Sequence, residues 1–246
     1  MLLVAVHGNG GGGFRFERMH PYIPDHVDFL APTLPGFADV PRDPALKSMR
    51  DYAAKLRELI GEQNGRPLVL LGTGIGGSIC LEYIQHYRAD GLILHAPVGT
   101  RLDERLFPRL MKLPGMTNLG QWLFSTPLTR PAFKRLLFVD YAAIPRDYLN
   151  RFFDEYRSNT VFGQMFDIIN SAWWNALKYS EIPAALLWGE RERVLSVDQL
   201  EDYKALLPNH IVRTVPEWDH FPMIESPQEY AEVVIQLAKE LIAIAA

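Results

Sequence analysis

The chain has 246 residues, of which 48% are hydrophobic and 22% are charged, a balance typical of a globular protein with a substantial core. Its formal net charge is −4, which provides no strongly basic surface for nucleic acid, so that class of function is excluded. We expect one domain, with room for an inserted segment.

Cysteine content and the chain's first residues bear on the cellular compartment. Cys80 is the only cysteine, which excludes an intramolecular disulfide and a cysteine-based zinc site and fits a reducing compartment. Residues 1–6 are too short and uncharged to supply a signal peptide, and no apolar run approaches the roughly 20 residues of a transmembrane helix. We therefore expect a cytoplasmic protein without a transmembrane segment.

Short apolar runs bounded by turn residues predict buried strands. Because these runs are apolar at successive positions, we expect both faces of the sheet to be covered, as in a parallel sheet flanked by helices. In chain order, the six predicted strands are residues 2–6, 27–31, 68–71, 92–94, 184–188 and 211–215.

Helical patterns alternate with these strands. The clearest cover residues 49–61, 77–87 and 228–245, and Pro227 at the start of the last follows Ser226, a plausible N-cap. Alternating strands and helices predict a doubly wound, mostly parallel α/β sheet.

Residues 100–180 interrupt this alternation. No convincing strand occurs there, aromatic residues are dense, and we expect a helical insertion between a core of residues 1–99 and 181–246. Trp173 and Trp174 are predicted to bind substrate as part of an apolar pocket roof. From Arg101 to Arg157 the insertion contains ten Arg or Lys and six Asp or Glu, so the predicted small-molecule ligand is apolar or anionic.

The third predicted strand runs into a glycine turn. Residues 72–77 read Gly-Thr-Gly-Ile-Gly-Gly, and a helical pattern follows. In α/β-hydrolases a strand, a sharp turn of sequence Gly-x-Ser-x-Gly and a helix present the serine nucleophile at the edge of the sheet. Here the flanking glycines are present, but the central residue is Gly74.

Four further motifs occur in the order used by that fold. A His-Gly turn lies at residues 7–9, a Pro-Thr-Leu-Pro-Gly-Phe loop at 32–37, a Trp-Gly loop with two glutamates at 187–192, and a Trp-Asp-His loop at 218–222. With these motifs the chain resembles the α/β-hydrolase superfamily along almost its whole length. The resemblance implies six strands without the family's usual first two, and it makes residues 100–180 a helical cap.

The resemblance also implies roles for individual residues. His220 takes the position of the catalytic base, and Glu192, or alternatively its neighbour Glu190, that of the acid that orients it. Backbone N–H groups of Asn9 and Ile75 correspond to the oxyanion hole. No cofactor is expected, and no cluster of metal-ligating residues stands out.

A glycine at the nucleophile position removes the covalent intermediate of the usual hydrolase reaction. Three functions remain open. One is a non-covalent hydrolase or lyase-like enzyme that uses His220 as a base, which we rank first. The others are a catalytically inactive protein that binds a ligand or partner, and a hydrolase with a rearranged nucleophile at Ser78.

Overall fold

The computed structural model describes residues 1–99, 102 and 105–245. Thr100, Arg101, Asp103 and Glu104, which belong to the predicted insertion and to its charge count, lie outside the described residues, as does Ala246.

Six strands are found where the sequence predicts them. Each pairs in parallel with its neighbours, and this confirms the predicted fold class. The strands are β1 (Leu2–Val6), β2 (Asp28–Leu30), β3 (Leu68–Gly74), β4 (Gly91–Pro97), β5 (Ala184–Gly189) and β6 (His210–Val215), in the spatial order β2-β1-β3-β4-β5-β6.

Burial differs between the centre and the edges of the sheet. Every residue of β1, β3, β4 and β5 is buried, whereas β2 and β6 at the two edges are partly exposed. Each of these two edge strands has a neighbouring strand on one side only, which accounts for its partial exposure.

Helices from the chain segments before residue 100 and after residue 180 flank the sheet. The predicted helix 77–87 begins earlier, at Ile75, because the chain turns into the helix directly after Gly74. The core helices are α1 (Met49–Ile60), α2 (Ile75–His86), α9 (Leu200–Leu206), α10 (Pro222–Glu225) and α11 (Pro227–Ala245), with a 3-10 helix at Gly13–Tyr22. Helix α1 packs on α2, α2 packs on β3, and α11 packs on β4.

The described residues between β4 and β5 contain helices and no strand. Their contacts with the core include a hydrogen bond of 2.7 Å from the Tyr148 hydroxyl to the Phe14 carbonyl and one of 2.7 Å from the Gln164 amide to the Leu46 carbonyl. The α-helices are α3 (Leu106–Met111), α4 (Met116–Ser125), α5 (Arg130–Leu137), α6 (Arg146–Ser158), α7 (Phe162–Ile168) and α8 (Ser171–Ala176).

A buried ion pair joins helix α6 to the glycine-rich segment after β1. Arg15 lies 3.4 Å from Glu155, and the Glu155 carboxylate also accepts a hydrogen bond from the Gly12 N–H at 3.2 Å. The Arg15 guanidinium donates to the carbonyls of Gly10 and Phe152 at 3.0 and 3.3 Å. Both charges are thus paired and hydrogen-bonded, which a buried ion pair requires.

Candidate active site

The predicted site residues come from the carboxyl ends of several parallel strands. Asn9 follows β1, Gly74 ends β3, Glu192 follows β5 and His220 follows β6. In parallel α/β sheets these ends meet at one edge, where ligands bind. The topology therefore brings residues that are far apart in sequence to one place.

Gly74 forms a sharp turn between β3 and α2. Its backbone has φ +54° and ψ −120°, a conformation that residues with a Cβ adopt only with strain. In the part of the chain that the structure describes, a Cβ placed on Gly74 would meet the Cα of Gly8 at 3.5 Å, an ordinary van der Waals distance, and no other atom beyond its chain neighbours. The turn thus has the strained shape of a nucleophile elbow, and it has room for a side chain.

The glycines beside Gly74 are required by close packing. A Cβ on Gly76 would lie 2.1 Å from the carbonyl oxygen of Val6, and one on Gly77 would lie 2.6 Å from the Cβ of Pro97. Helix α2 can start this close to β1 and β4 only if these positions lack side chains.

Substituting Gly76 should therefore destabilise the fold. We expect Gly76→Ala to lower the free energy of unfolding by about 2–4 kcal/mol, since the obstructing atom belongs to the backbone of β1. Gly120→Ala is the control, because its Cβ would meet the flexible Met111 side chain at 3.0 Å. Urea unfolding of both variants measures the difference, and equal losses would contradict the packing argument.

Backbone donors lie next to Gly74. Ile75 is the first residue of α2, so its N–H has no acceptor within the helix and lies at the positive end of the helix dipole. The side chain of Asn9 is held by two hydrogen bonds, donating to the Phe162 carbonyl at 3.1 Å and accepting from Asn159 at 3.3 Å. These bonds fix the turn that carries the Asn9 backbone.

His7, which precedes this turn, is a structural histidine. Its Nε2 accepts a hydrogen bond from the Leu34 N–H at 3.1 Å, and Nδ1 lies 3.0 Å from the Gly8 carbonyl, so Nδ1 carries the proton. Burial lowers the pKa of His7 to about 4, so the ring is neutral at pH 7. His7 thereby connects the turn at residues 7–9 to the loop at residues 32–37.

His220 and Glu192 are hydrogen-bonded to each other. His220 Nδ1 lies 2.7 Å from Glu192 Oε2, and the Glu192 side chain is 1% exposed. Glu192 Oε1 accepts hydrogen bonds from the N–H groups of Val194 and Leu195 at 2.6 and 2.9 Å. Glu190, the alternative acid, is exposed and bonds to Thr214 instead. The pair leaves the second ring nitrogen of His220 available for proton transfer.

The Glu192 carboxylate is held ionised. Burial on its own would raise the pKa of Glu192, but the nearby His220 and the two backbone N–H groups outweigh burial and lower this pKa below its ordinary 4.5. A carboxyl whose pKa is depressed on folding stabilises the native state above its unfolded pKa and loses that contribution as pH falls through the folded value.

We therefore expect the protein to lose stability as the pH falls below 4.5, and Glu192→Gln to lose less over the same interval. Urea unfolding between pH 7 and pH 3 measures both slopes. Glu190→Gln is the matched control, because this exposed carboxylate two residues away should leave the wild-type slope intact. Equal slopes for wild type and Glu192→Gln would contradict the assigned pKa direction.

Sequence reasoning assigned no role to the residues that hold the histidine loop. Asp219 is fully buried, and its Oδ1 accepts a hydrogen bond from the His220 N–H at 2.8 Å. Its Oδ2 pairs with the Arg193 guanidinium, whose Nε lies at 2.9 Å. This pair connects the loop after β5 to the loop after β6. The signal in the sequence was an aspartate directly before the candidate base.

A cavity of about 610 Å³ opens at this site. Gly74, Ile75, Asn9 and His220 line it, together with His95. Most of the remaining wall is apolar and comes from the helices between β4 and β5, including Phe124, Phe133, Leu137, Phe162, Phe166 and Ile169.

Three cationic side chains, Arg15, Arg105 and Arg193, line the cavity. Arg15 is paired with Glu155, and Arg193 with the buried Asp219. These two carboxylates oppose binding of an anion beside Arg15 or Arg193.

The two tryptophans predicted to bind substrate, and the serine considered as an alternative nucleophile, lie away from the cavity. Trp173 donates a hydrogen bond to Glu82 at 2.8 Å and Trp174 packs edge-on against Tyr203 at 5.2 Å, so neither forms part of the cavity wall. Their aromatic rings instead fill the seam between α8 and the core. Ser78 is fully buried and donates to the Val98 carbonyl, which makes it a helix-packing residue outside the cavity.

Within residues 1–99, 102 and 105–245, no group of three or more His, Cys, Asp or Glu side chains is arranged to hold a metal ion. In the same part of the chain, no helix combines the length and apolar character that crossing a bilayer requires.

The parallel six-stranded sheet and the glycine turn after its central strand define the α/β-hydrolase class. The chain belongs to the alpha/beta hydrolase family, whose pattern matches residues 3–233.

Individual relatives are distant. An uncharacterized protein of Mycobacterium tuberculosis is 22% identical over 94% of this chain and 73% of its own length. The monoacylglycerol lipase ABHD6 of Homo sapiens is 21% identical over 95% of this chain and 74% of its own. Among solved structures, a putative lipase from Acinetobacter baumannii has a TM-score of 0.74 and 20% identity, covering 98% of this chain and 84% of its own. These similarities agree with the fold and leave the substrate open.

Proposed function

We propose that the protein is a non-covalent hydrolase of esters or thioesters with an apolar acyl group. The observation that carries this proposal is the pairing of buried Glu192 with His220 beside an elbow that has no side chain. A pocket that only bound an apolar ligand would have no need of an ionised carboxylate in its interior, because burying that charge is unfavourable unless it is paired.

In the proposed reaction, His220 accepts a proton from a water molecule beside Gly74. The water oxygen forms a bond to the substrate carbonyl carbon, and the carbonyl electron pair moves onto oxygen. N–H groups of Ile75 and Asn9 stabilise this oxyanion. When the carbonyl re-forms, the carbon–oxygen or carbon–sulfur bond breaks, and the protonated His220 returns its proton to the leaving group.

Glu192 orients the imidazole in this scheme. By accepting a hydrogen bond from Nδ1–H it leaves Nε2 unprotonated in the resting state, and it stabilises the imidazolium that forms during the reaction. Asp219 positions the same ring through the backbone of His220.

We further propose that residues 100–180 form the cap that binds the acyl group. The apolar wall contributed by α4, α5 and α7 supports this assignment. Trp173 and Trp174 are not included, because they pack against Glu82 and Tyr203. Arg15 and Arg193, two of the three arginines that line the cavity, are paired with carboxylates, which supports an uncharged substrate.

A catalytically inactive ligand-binding protein is the second candidate, and Gly74 itself favours it. A structurally similar N-acyl homoserine lactonase with a serine-to-glycine substitution, at TM-score 0.73 and 19% identity, was crystallised in complex with N-hexanoyl homoserine lactone.

A lyase-like reaction, with His220 removing a proton from carbon, uses the same histidine–glutamate pair. The buried, hydrogen-bonded Ser78 gives little support to a rearranged nucleophile.

Turnover of p-nitrophenyl hexanoate and its thioester analogue, combined with mass spectrometry of the quenched protein, tests these candidates. We expect steady product release without a burst and a protein of unmodified mass. Saturable binding without hexanoate release would contradict the proposal and favour the binding protein. An acyl adduct on Ser78 would contradict it in favour of the rearranged nucleophile.

A further inference from the structure

His95 is a buried histidine at the centre of the site that the proposed reaction does not use. It is 1% exposed and lines the cavity. On the sheet it pairs in register with Thr73, which precedes Gly74, and with Leu187, on the strand that leads to Glu192. His95 therefore lies between the strand that ends at Gly74 and the strand that precedes Glu192.

Its hydrogen bond to Tyr230 determines which ring nitrogen carries the proton. The fully buried Tyr230 hydroxyl lies 3.1 Å from His95 Nδ1 and, among the described residues, has no other hydrogen-bond partner. A buried hydroxyl proton requires an acceptor, so Tyr230 donates to Nδ1. In the neutral ring the proton is then on Nε2. Burial lowers the pKa of His95 to about 3, an effect that Glu192 opposes and His220 reinforces, which keeps the ring neutral.

The Nε2–H group of His95 has no partner among the described residues. A buried donor without an acceptor destabilises a protein by about 1–3 kcal/mol, so such a group calls for an explanation. The cavity that His95 lines is otherwise mostly apolar, which leaves a bound water or ligand oxygen as the acceptor.

We propose that His95 Nε2–H donates a hydrogen bond to the water that occupies the place of the missing serine side chain. A buried water needs two to four polar partners. His220 accepts one of its protons, and His95 donates to one of its lone pairs, which leaves the other lone pair free to attack the carbonyl carbon. His95 is thus a third catalytic side chain, and its function in turnover rests on the proposed hydrolase reaction.

Nuclear magnetic resonance tests the water site without any need for turnover. In protein with ¹⁵N-labelled histidine we expect the neutral, Nε2-protonated form of His95 and a rotating-frame cross-peak between its Hε2 and a long-lived water. Gly74→Ala should remove that cross-peak, because its methyl group would fill the space. An Nδ1-protonated ring, a missing cross-peak, or one that persists in Gly74→Ala would overturn the proposal.

Steady-state kinetics test the catalytic role. We expect the double variant His95→Leu with Tyr230→Phe, which leaves no orphaned hydroxyl, to lower kcat about tenfold with KM unchanged. His95→Gln, which keeps a donor, should recover most of the loss. A raised KM with unchanged kcat would refute the water-holding role. Absence of wild-type turnover while the water cross-peak is present would refute the hydrolase proposal and leave the water site standing.

Discussion

Gly74→Ser is expected to turn the protein into a covalent esterase, with kcat for p-nitrophenyl hexanoate rising at least about 10²-fold and a burst of p-nitrophenol in the first turnover. The serine Cβ fits, because among the described residues beyond its chain neighbours it comes within 4 Å of the Cα of Gly8 alone, at 3.5 Å. His220 and Ile75 line the same cavity as Gly74, so the proposed base and the proposed oxyanion donor are on the same cavity wall as the new serine. Quenched mass spectrometry should detect a hexanoyl adduct at residue 74.

Strain has to be separated from chemistry in this experiment. Any side chain at φ +54° is expected to lower stability by about 1–3 kcal/mol. Gly74→Ala has the same strain without a hydroxyl, so it should share the stability loss and show no burst. Gly74→Ser combined with His220→Ala should lose the gain. A folded Gly74→Ser protein without burst or adduct would mean that the carbonyl is not bound at the elbow, and the binding-protein alternative would then gain support.

His220→Ala is expected to lower the wild-type kcat/KM for the same ester by about 10²–10⁴-fold, which is the usual contribution of a general base. The loss should appear mainly in kcat, since the apolar cavity that binds the acyl group is unchanged. Stopped assays over a range of ester concentrations separate the two constants.

The matched control for that variant is His26→Ala, because His26 is exposed on a turn outside the cavity. Its kinetics should equal those of the wild type. Even without a nucleophile, a hydrolase scaffold retains roughly 10³–10⁴-fold catalysis over water from its oxyanion hole and binding. Activity that survives in His220→Ala would therefore be this residual effect, and equal activity in the two variants would eliminate His220 as the base.

The fold followed from sequence because its signals are local. Successive apolar residues predicted the strands, and glycine spacing identified the turn at Gly74. The flanking glycines are informative for a physical reason, because a Cβ on Gly76 would contact the backbone of β1. Motif order was sufficient to select His220 and Glu192, which lie within hydrogen-bonding distance of each other.

Contacts between distant segments were not readable in the same way. The aromatic character of Trp173 and Trp174 gave no indication of direction, and their neighbours Glu82 and Tyr203 are far away in sequence. His95 follows the predicted strand 92–94 directly, and no motif in the sequence singled it out. Its partner Tyr230 is 135 positions further along the chain, and only the folded sheet reveals that one ring nitrogen lacks a partner.

The ion pair between Arg15 and Glu155 has a consequence for how ligands enter and leave. Opening the structure between helix α6 and the glycine-rich segment would break this pair together with the hydrogen bonds of Arg15 to the Gly10 and Phe152 carbonyls, which makes opening on that side unfavourable. We therefore expect ligands to enter and leave the cavity on the side of α3 to α5. The residence time of a bound ligand then depends on motions of those helices.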